Sequence, residues 1–124
     1  MSIKTILIVD DSPTERHFLN DLLTRAGYSV IASDNGEDAI QKAKQQKPDL
    51  ILMDVVMPGL NGFQATRAIS RDPETKSIPV IMCTSKSQET DRIWGMRQGA
   101  VDYLVKPITP AQLVEKAQAA LLAG

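Results

Sequence analysis

The sequence lacks the residues that several classes of site require. Its 124 residues include one cysteine, Cys83, which excludes an internal disulfide and a metal site built from several cysteines. Neither sign of charge predominates, because 14 Lys and Arg residues oppose 15 Asp and Glu residues. The formal net charge of -1 gives no general attraction to nucleic acid or to acidic membranes. We expect a protein of the reducing cytoplasm.

Long apolar runs are also missing. Stretches such as residues 50–53 are far shorter than the roughly 20 residues needed to cross a bilayer, so no membrane span is expected. The opening Met1-Ser2-Ile3-Lys4 lacks the apolar segment of a secretory signal. Hydrophobic residues nevertheless make up 43% of the chain, enough for one core. We therefore expect a single folded domain over residues 1–124.

Short apolar segments alternate with amphipathic ones along the chain. Residues 6–9 and 50–53 are continuous apolar runs, which are typical of strands buried on both faces. The predicted strands cover residues 5–9, 28–32, 49–53, 79–83 and 102–105. Helices are predicted from residue 13 to just before 27, over 37–46, 63–71 and 89–98, and from 110 onwards. This alternation predicts an α/β fold with a five-stranded parallel sheet and helices on both of its faces.

Four of the five predicted strands are followed by a residue that can carry chemistry. These residues are Asp10 and Asp11 after the first strand, Asp54 after the third, Thr84 after the fourth and Lys106 after the fifth. In an open α/β sheet, ligands bind beyond the carboxyl ends of the strands. Three carboxylates, a hydroxyl and an ammonium group are therefore expected at one edge of the sheet.

Such a group of side chains favours a cation and a phosphoryl group. Three ionised carboxylates repel one another in a partly desolvated cleft unless one is protonated or a cation binds. Oxygen ligands favour Mg²⁺, whose charge together with that of Lys106 balances the three carboxylates. In that neutral pocket Asp54 could act as a nucleophile towards a phosphoryl group, with Asp10 and Asp11 holding the metal. Thr84 could then donate a hydrogen bond to a phosphoryl oxygen.

Several motifs resemble those of a known family, the receiver domain of bacterial response regulators. They are Ile8-Val9-Asp10-Asp11, Met53-Asp54-Val55-Val56-Met57-Pro58 with Gly62, Thr84-Ser85 and Lys106-Pro107. Their order and spacing extend the resemblance over essentially the whole chain. It implies a flavodoxin-like, doubly wound sheet with strand order 2-1-3-4-5. Within the family, the chain is most similar to single-domain receivers of chemotaxis-like and pilus-driven twitching systems.

The resemblance implies a role for each site residue. Asp54 resembles the phosphoacceptor, and Asp10 and Asp11 resemble the acidic pair that binds Mg²⁺ together with Asp54. The backbone carbonyl of Val56 would complete the metal ligands from the protein. Lys106 resembles the family's site lysine, and a cis peptide bond is implied between Lys106 and Pro107.

The resemblance also implies a switch and partners. Thr84 and Tyr103 resemble a pair of switch residues, in which the hydroxyl follows the phosphoryl group and the ring changes rotamer. A histidine kinase would be the phosphodonor, and a downstream protein would bind the face formed by the fourth helix, fifth strand and fifth helix. No nucleic-acid partner is implied. The chain would be no enzyme beyond catalysing its own phosphoryl transfer and dephosphorylation.

Other functions on the same fold are less consistent with the sequence. A phosphohydrolase with an aspartate nucleophile needs a second Asp two residues later, where Val56 stands. A flavin or dinucleotide carrier needs a phosphate cradle after the first strand, where Asp10 and Asp11 would repel phosphate. Two alternatives stay open: a receiver-fold binding module that works without phosphorylation, and a phosphate sink for another receiver.

Simpler interpretations apply to individual residues. Asp10 and Asp11 could merely stabilise a helix N-terminus, although Ser12 already supplies an N-cap. An aromatic residue such as Tyr103 in an edge strand could serve only in packing. Ile93 and Trp94 are expected to be half-buried core residues rather than an exposed partner-binding patch.

Overall fold

The computed structural model describes residues 3–85 and 88–123, in which five strands alternate with five helices. The strands are β1 (Thr5–Val9), β2 (Ser29–Ser33), β3 (Leu50–Met53), β4 (Val80–Thr84) and β5 (Asp102–Val105). The helices are α1 (Pro13–Arg25), α2 (Gly36–Gln46), α3 (Gly62–Arg71), α4 (Glu89–Arg97) and α5 (Pro110–Ala123). Every strand pairs in parallel with its neighbours in the order β2-β1-β3-β4-β5, which confirms the predicted fold.

Most element boundaries lie within one residue of the prediction. Strand β2 begins at Ser29 because the amide of Tyr28 donates to Leu23 O (3.1 Å) and so belongs to the end of α1. Helix α3 begins at Gly62 because Asn61 caps it. The Asn61 side chain accepts from the Gln64 amide, and the Gln64 side chain accepts from the Asn61 amide, each at 2.9 Å. This reciprocal pair fixes the start of the helix.

The sheet is covered on both faces by apolar side chains. Ile6 and Ile8 of β1 belong to one cluster with residues of α1 and α5, whereas Leu7 and Val9 belong to another with residues of α2 and α3. All four are at most 1% exposed. Burial on both faces explains why the strand sequence is continuously apolar instead of alternating.

Helix α4 contacts the core through a glycine and not through apolar side chains. Within Glu89–Arg97, all of which the structure describes, Gly95 is the one buried residue. A Cβ added to Gly95 would lie 3.4 Å from atoms of Phe63, Met82 and Tyr103, so the helix backbone itself faces the core. The neighbouring side chains consequently point outwards. The prediction that Ile93 and Trp94 are half-buried core residues is wrong, since they are 45% and 48% exposed.

Further apolar side chains are exposed on α4, on β5 and at the residue before β5. With Ile93 and Trp94 we group three others as the α4–β5 patch: Met96, Val101 and Val105, which are 39%, 49% and 40% exposed. Within the described ranges, no helix combines the length and the apolar character needed to cross a membrane.

Candidate functional site

The parallel sheet brings the predicted site residues to one edge. Asp10 and Asp54 follow β1 and β3, which are adjacent, and the Asp54 amide donates to Val9 O at 2.9 Å. Thr84 is the last residue of β4, and its carbonyl accepts from the Lys106 amide at 2.8 Å. The convergence expected from the strand ends is therefore confirmed.

Three carboxylates form what we call the acidic cluster: Asp10, Asp11 and Asp54. One oxygen from each lies within 4.8 Å of the others. Asp10 and Asp54 are buried, at 2% and 8% exposure, whereas Asp11 is exposed at the rim of the site. Adjacent oxygens around an octahedral Mg²⁺ are about 3 Å apart, so a small inward movement would bring these three into one coordination shell. The oxygen donors and their spacing fit Mg²⁺.

Lys106 places an ammonium group beside this cluster. Its Nζ lies 2.6 Å from Asp10 Oδ2 and 3.7 Å from Asp54 Oδ1. Burial lowers the pKa of Lys106, but the hydrogen bond to Asp10 and the charges of Asp54 and Asp10 outweigh it and leave that pKa raised. The side chain is therefore a cation that partly neutralises two buried carboxylates. It lies closer to Asp10 than to Asp54.

The same environment perturbs Asp54. Burial raises the pKa of this carboxyl group from 3.8 to about 6, and the charges of Asp10 and Asp11 act in the same direction. The Lys106 charge and a hydrogen bond from the Val55 amide to Asp54 Oδ1 (2.9 Å) oppose the rise. A carboxyl group with such a pKa is mostly ionised at pH 7. The ionised form is the one that can act as a nucleophile.

The first residue of α3, Gly62, packs against the backbone of Asp54. A Cβ added to Gly62 would lie 2.0 Å from Asp54 O, a separation that no side chain tolerates. The Gly62 amide also donates to Val55 O at 2.9 Å, so the start of α3 is held against the residue that follows Asp54. Between these contacts Val56 is 57% exposed, whereas Val55 is buried. The role of the Val56 carbonyl as a metal ligand stays a prediction.

The two predicted switch residues are both buried. Thr84 is fully buried at the end of β4, and Tyr103 on β5 is 8% exposed. Tyr103 belongs to the core cluster that includes Phe63, and burial raises the pKa of its hydroxyl group. These positions are compatible with the predicted switch, which itself stays a prediction. The peptide bond between Lys106 and Pro107 is cis, as the resemblance implied.

Two other residues, Cys83 and His17, are also of types that can carry chemistry. Cys83 is 2% exposed, and burial raises the pKa of its thiol to about 12, so the side chain is a small buried hydrophobe. His17 is exposed on α1.

Arg16 contacts the site but has no place among the predicted site residues. Its Nη1 donates to the backbone carbonyl of Asp10 at 2.7 Å. An arginine in the first turns of a helix is ordinarily a solvent-exposed residue, and its position six residues after Asp10 is the one signal in the sequence. The contact depends on how a long side chain folds back, which residue spacing alone does not specify.

Comparisons with known proteins agree with this geometry. Residues 6–118 match the family described as response regulator receiver domain. The chain is 55% identical over 116 residues to protein PilH of Pseudomonas aeruginosa, covering 94% of this chain and 96% of that protein. It is 40% identical over 114 residues to chemotaxis protein CheY of Thermotoga maritima, covering 90% and 92%.

A solved structure gives the same result for the fold. The receiver domain of the sensor histidine kinase PA1611 of Pseudomonas aeruginosa, described with a magnesium ion coordinated in its active site cleft, has a TM-score of 0.90 and 32% identity to this chain. The match covers 97% of this chain and 98% of that one. The matched range, the relatives and the strand-end site agree, and the chain belongs to the response regulator receiver domain family.

Proposed function

We propose that the chain is a response regulator that accepts a phosphoryl group on Asp54 from a histidine kinase and then changes a protein-binding surface. The observation that carries this proposal is the position of Asp54, buried in the acidic cluster with Lys106 Nζ 3.7 Å from its Oδ1. A nucleophilic carboxylate, two further metal-ligating carboxylates and a cation are the parts that phosphoryl transfer requires.

The residues that would hold Mg²⁺ are Asp10, Asp11, Asp54 and, through its carbonyl, Val56. The ion would neutralise negative charge on the incoming phosphoryl group. The fit of the three carboxylates supports this assignment, as does the magnesium ion described for the PA1611 receiver domain.

The chain's own residues perform the transfer. An Asp54 carboxylate oxygen attacks the phosphorus of a phosphohistidine, and a P–O bond forms as the P–N bond breaks. The electron pair of the broken bond stays on the imidazole nitrogen, and the product is an acyl phosphate on Asp54. Lys106 and Thr84 donate hydrogen bonds to the phosphoryl oxygens, which draws both side chains towards residue 54. The chain would catalyse only this transfer and its own dephosphorylation, in which water attacks the phosphorus, the bond to the Asp54 oxygen breaks, and inorganic phosphate leaves.

The output surface is the face formed by α4, β5 and α5. The α4–β5 patch supports this choice, because grouped exposed apolar side chains mark interaction sites. The new group adds a charge of about -1.5 to -2 beside Lys106 and Thr84, at the ends of β5 and β4. The 55% identity to PilH and 40% identity to CheY support a role in chemotaxis-like or pilus motility signalling. A cytoplasmic location is part of the same proposal.

Acetyl phosphate provides the direct test. The protein is incubated with acetyl phosphate and Mg²⁺ and its intact mass is measured, with Asp54→Ala and an EDTA-treated sample as controls. We expect a gain of one phosphoryl group that requires both Asp54 and Mg²⁺. No gain in the wild-type protein, or an equal gain in Asp54→Ala, would refute phosphorylation at this site. It would leave the phosphorylation-independent binding module as the better description.

A further inference from the structure

Every polar group of Asp10, in its backbone and its side chain, forms a hydrogen bond. Its amide donates to Ser33 O at 3.1 Å. Its Oδ1 accepts from the Ser12 amide at 2.9 Å, and its Oδ2 accepts from Lys106 Nζ at 2.6 Å. The remaining group, the carbonyl oxygen, accepts from Arg16 Nη1 at 2.7 Å.

The bond from Arg16 has a particular consequence because of where this carbonyl lies. The Asp10 carbonyl belongs to the peptide unit that links Asp10 to Asp11, and such a unit is planar. Fixing its oxygen fixes the orientation of the whole plane, and therefore the direction in which the chain enters Asp11. Asp11 is exposed at the rim, in contrast to the buried Asp10.

The arginine is itself well anchored. It lies in α1, and its amide donates to Ser12 O at 3.0 Å, in the first turn of that helix. From there the guanidinium reaches back to the end of β1. A hydrogen bond from a charged donor is roughly twice as strong as one between neutral groups, so the contact is well suited to holding a backbone unit.

We propose that Arg16 is a positioning residue for the acidic pair. It holds the peptide plane between Asp10 and Asp11 so that both carboxylates converge with Asp54 on one cation. This inference rests on the proposed function, because it assumes that the acidic cluster binds Mg²⁺.

Charge alone predicts the opposite effect of removing Arg16. The guanidinium is a cation next to a site for a divalent cation, so by Coulomb repulsion its loss would tighten Mg²⁺ binding. Loss of positioning would instead weaken binding, because the two carboxylates would no longer be held in the required directions. Groups that orient metal ligands typically account for about 10-fold to 100-fold in metal affinity. The sign of the change therefore separates the two roles.

The experiment compares Mg²⁺ affinity in the wild-type protein, Arg16→Ala, Arg16→Lys and Arg25→Ala. Arg25 is a matched control because it is in the same helix and also carries a guanidinium, which pairs with Asp21 at 3.3 Å on the surface. Mg²⁺ is titrated while the amide shifts of Asp10, Asp11 and Asp54 are followed by NMR. We expect affinity at least about 10-fold weaker in Arg16→Ala and unchanged in Arg25→Ala. Arg16→Lys should be intermediate, since lysine keeps the charge but lacks the planar fork.

A second readout without metal isolates the geometry. The Ser12 amide donates to Asp10 Oδ1, so its chemical shift should move in Arg16→Ala and stay in place in Arg25→Ala. Unchanged or tighter Mg²⁺ binding by Arg16→Ala, or an unmoved Ser12 amide, would overturn the inference. If Arg16→Ala does not fold, the comparison uses Arg16→Lys. Equal Mg²⁺ affinities of Arg16→Lys and the wild-type protein would then overturn the positioning role of Arg16. Absence of Mg²⁺ binding in the wild-type protein is a different result, which contradicts the proposed function itself.

Discussion

Replacing Asp54 by asparagine should stabilise the folded protein at neutral pH in the absence of divalent cations. The pKa of Asp54 is about 6 in the folded protein, against 3.8 ordinarily, chiefly because the group is buried. The folded state thus holds a proton that the unfolded state releases. The contribution of Asp54 to the free energy of unfolding is therefore fully present below pH 3.8 and is lost as the pH rises through about 6. Asparagine keeps the shape of the side chain and removes this titration.

The shift sets the size of the effect. A difference of about two pH units at roughly 1.4 kcal/mol per unit corresponds to up to about 3 kcal/mol in the free energy of unfolding. At about pH 8 the free energy of unfolding of Asp54→Asn should exceed that of the wild-type protein by up to this amount. The difference between the two proteins should disappear towards about pH 4. If Mg²⁺ binds the acidic cluster of the folded state, as proposed, it should narrow this difference in the free energy of unfolding at high pH, because the wild-type protein would gain more from the ion.

Urea unfolding followed by far-UV circular dichroism measures the difference in the free energy of unfolding between Asp54→Asn and the wild-type protein. Each protein is unfolded in EDTA at several pH values and again in Mg²⁺. Glu115→Gln serves as the control, because it removes an exposed carboxylate on α5 and should leave the stability unchanged. A gap between Asp54→Asn and the wild-type protein that does not vary with pH would refute the reasoning. So would an Asp54→Asn protein that is less stable at about pH 8.

Three further substitutions test other parts of the structure. Lys106→Met removes the cation 2.6 Å from Asp10, so a Mg²⁺ titration should show tighter binding than in the wild-type protein. Mass spectrometry should show slower phosphorylation by acetyl phosphate. Weaker Mg²⁺ binding would contradict this reasoning. Gly62→Ala puts a Cβ 2.0 Å from Asp54 O, so urea unfolding should show a free energy of unfolding lower by about 3 kcal/mol or more. A near-neutral effect would show that the added Cβ does not clash with Asp54 O. Trp94→Ala removes an exposed side chain and should change stability by less than about 0.5 kcal/mol. If the α4–β5 patch binds a target, the same change should weaken that binding at least about 10-fold in a titration, and unaltered affinity would argue for another surface.

The acidic cluster and Lys106 could be predicted because topology alone brings them together. Parallel strands end at the same edge of a sheet, so Asp10, Asp54 and Lys106 needed only correct strand assignments. For Asp10 and Asp54 the assignment follows from the apolar runs of β1 and β3, which indicate burial on both faces.

The environment of α4 could not be predicted in the same way. Ile93, Trp94 and Met96 do not fall on one helical face, and their apolar character indicated burial. The helix instead contacts the core through Gly95, and a residue without a side chain leaves no hydrophobic signal in the sequence. The contact of Arg16 was missed for a related reason, since the path of a flexible side chain depends on the neighbours it finds after folding.

The attachment of α4 through a glycine also determines what it costs to move that helix. Helix α3 buries the side chains of Ala65, Thr66 and Ile69, and withdrawing it would expose apolar surface at about 25 cal/mol for each Å². Withdrawing α4 would expose little of its own surface, because Gly95 contributes only backbone. A hydrogen bond to a charged group is worth about 1.5–3 kcal/mol. If phosphorylation of Asp54 forms a few such bonds at the ends of β4 and β5, α4 is the helix that we expect this free energy to move, because Gly95 is its one buried residue.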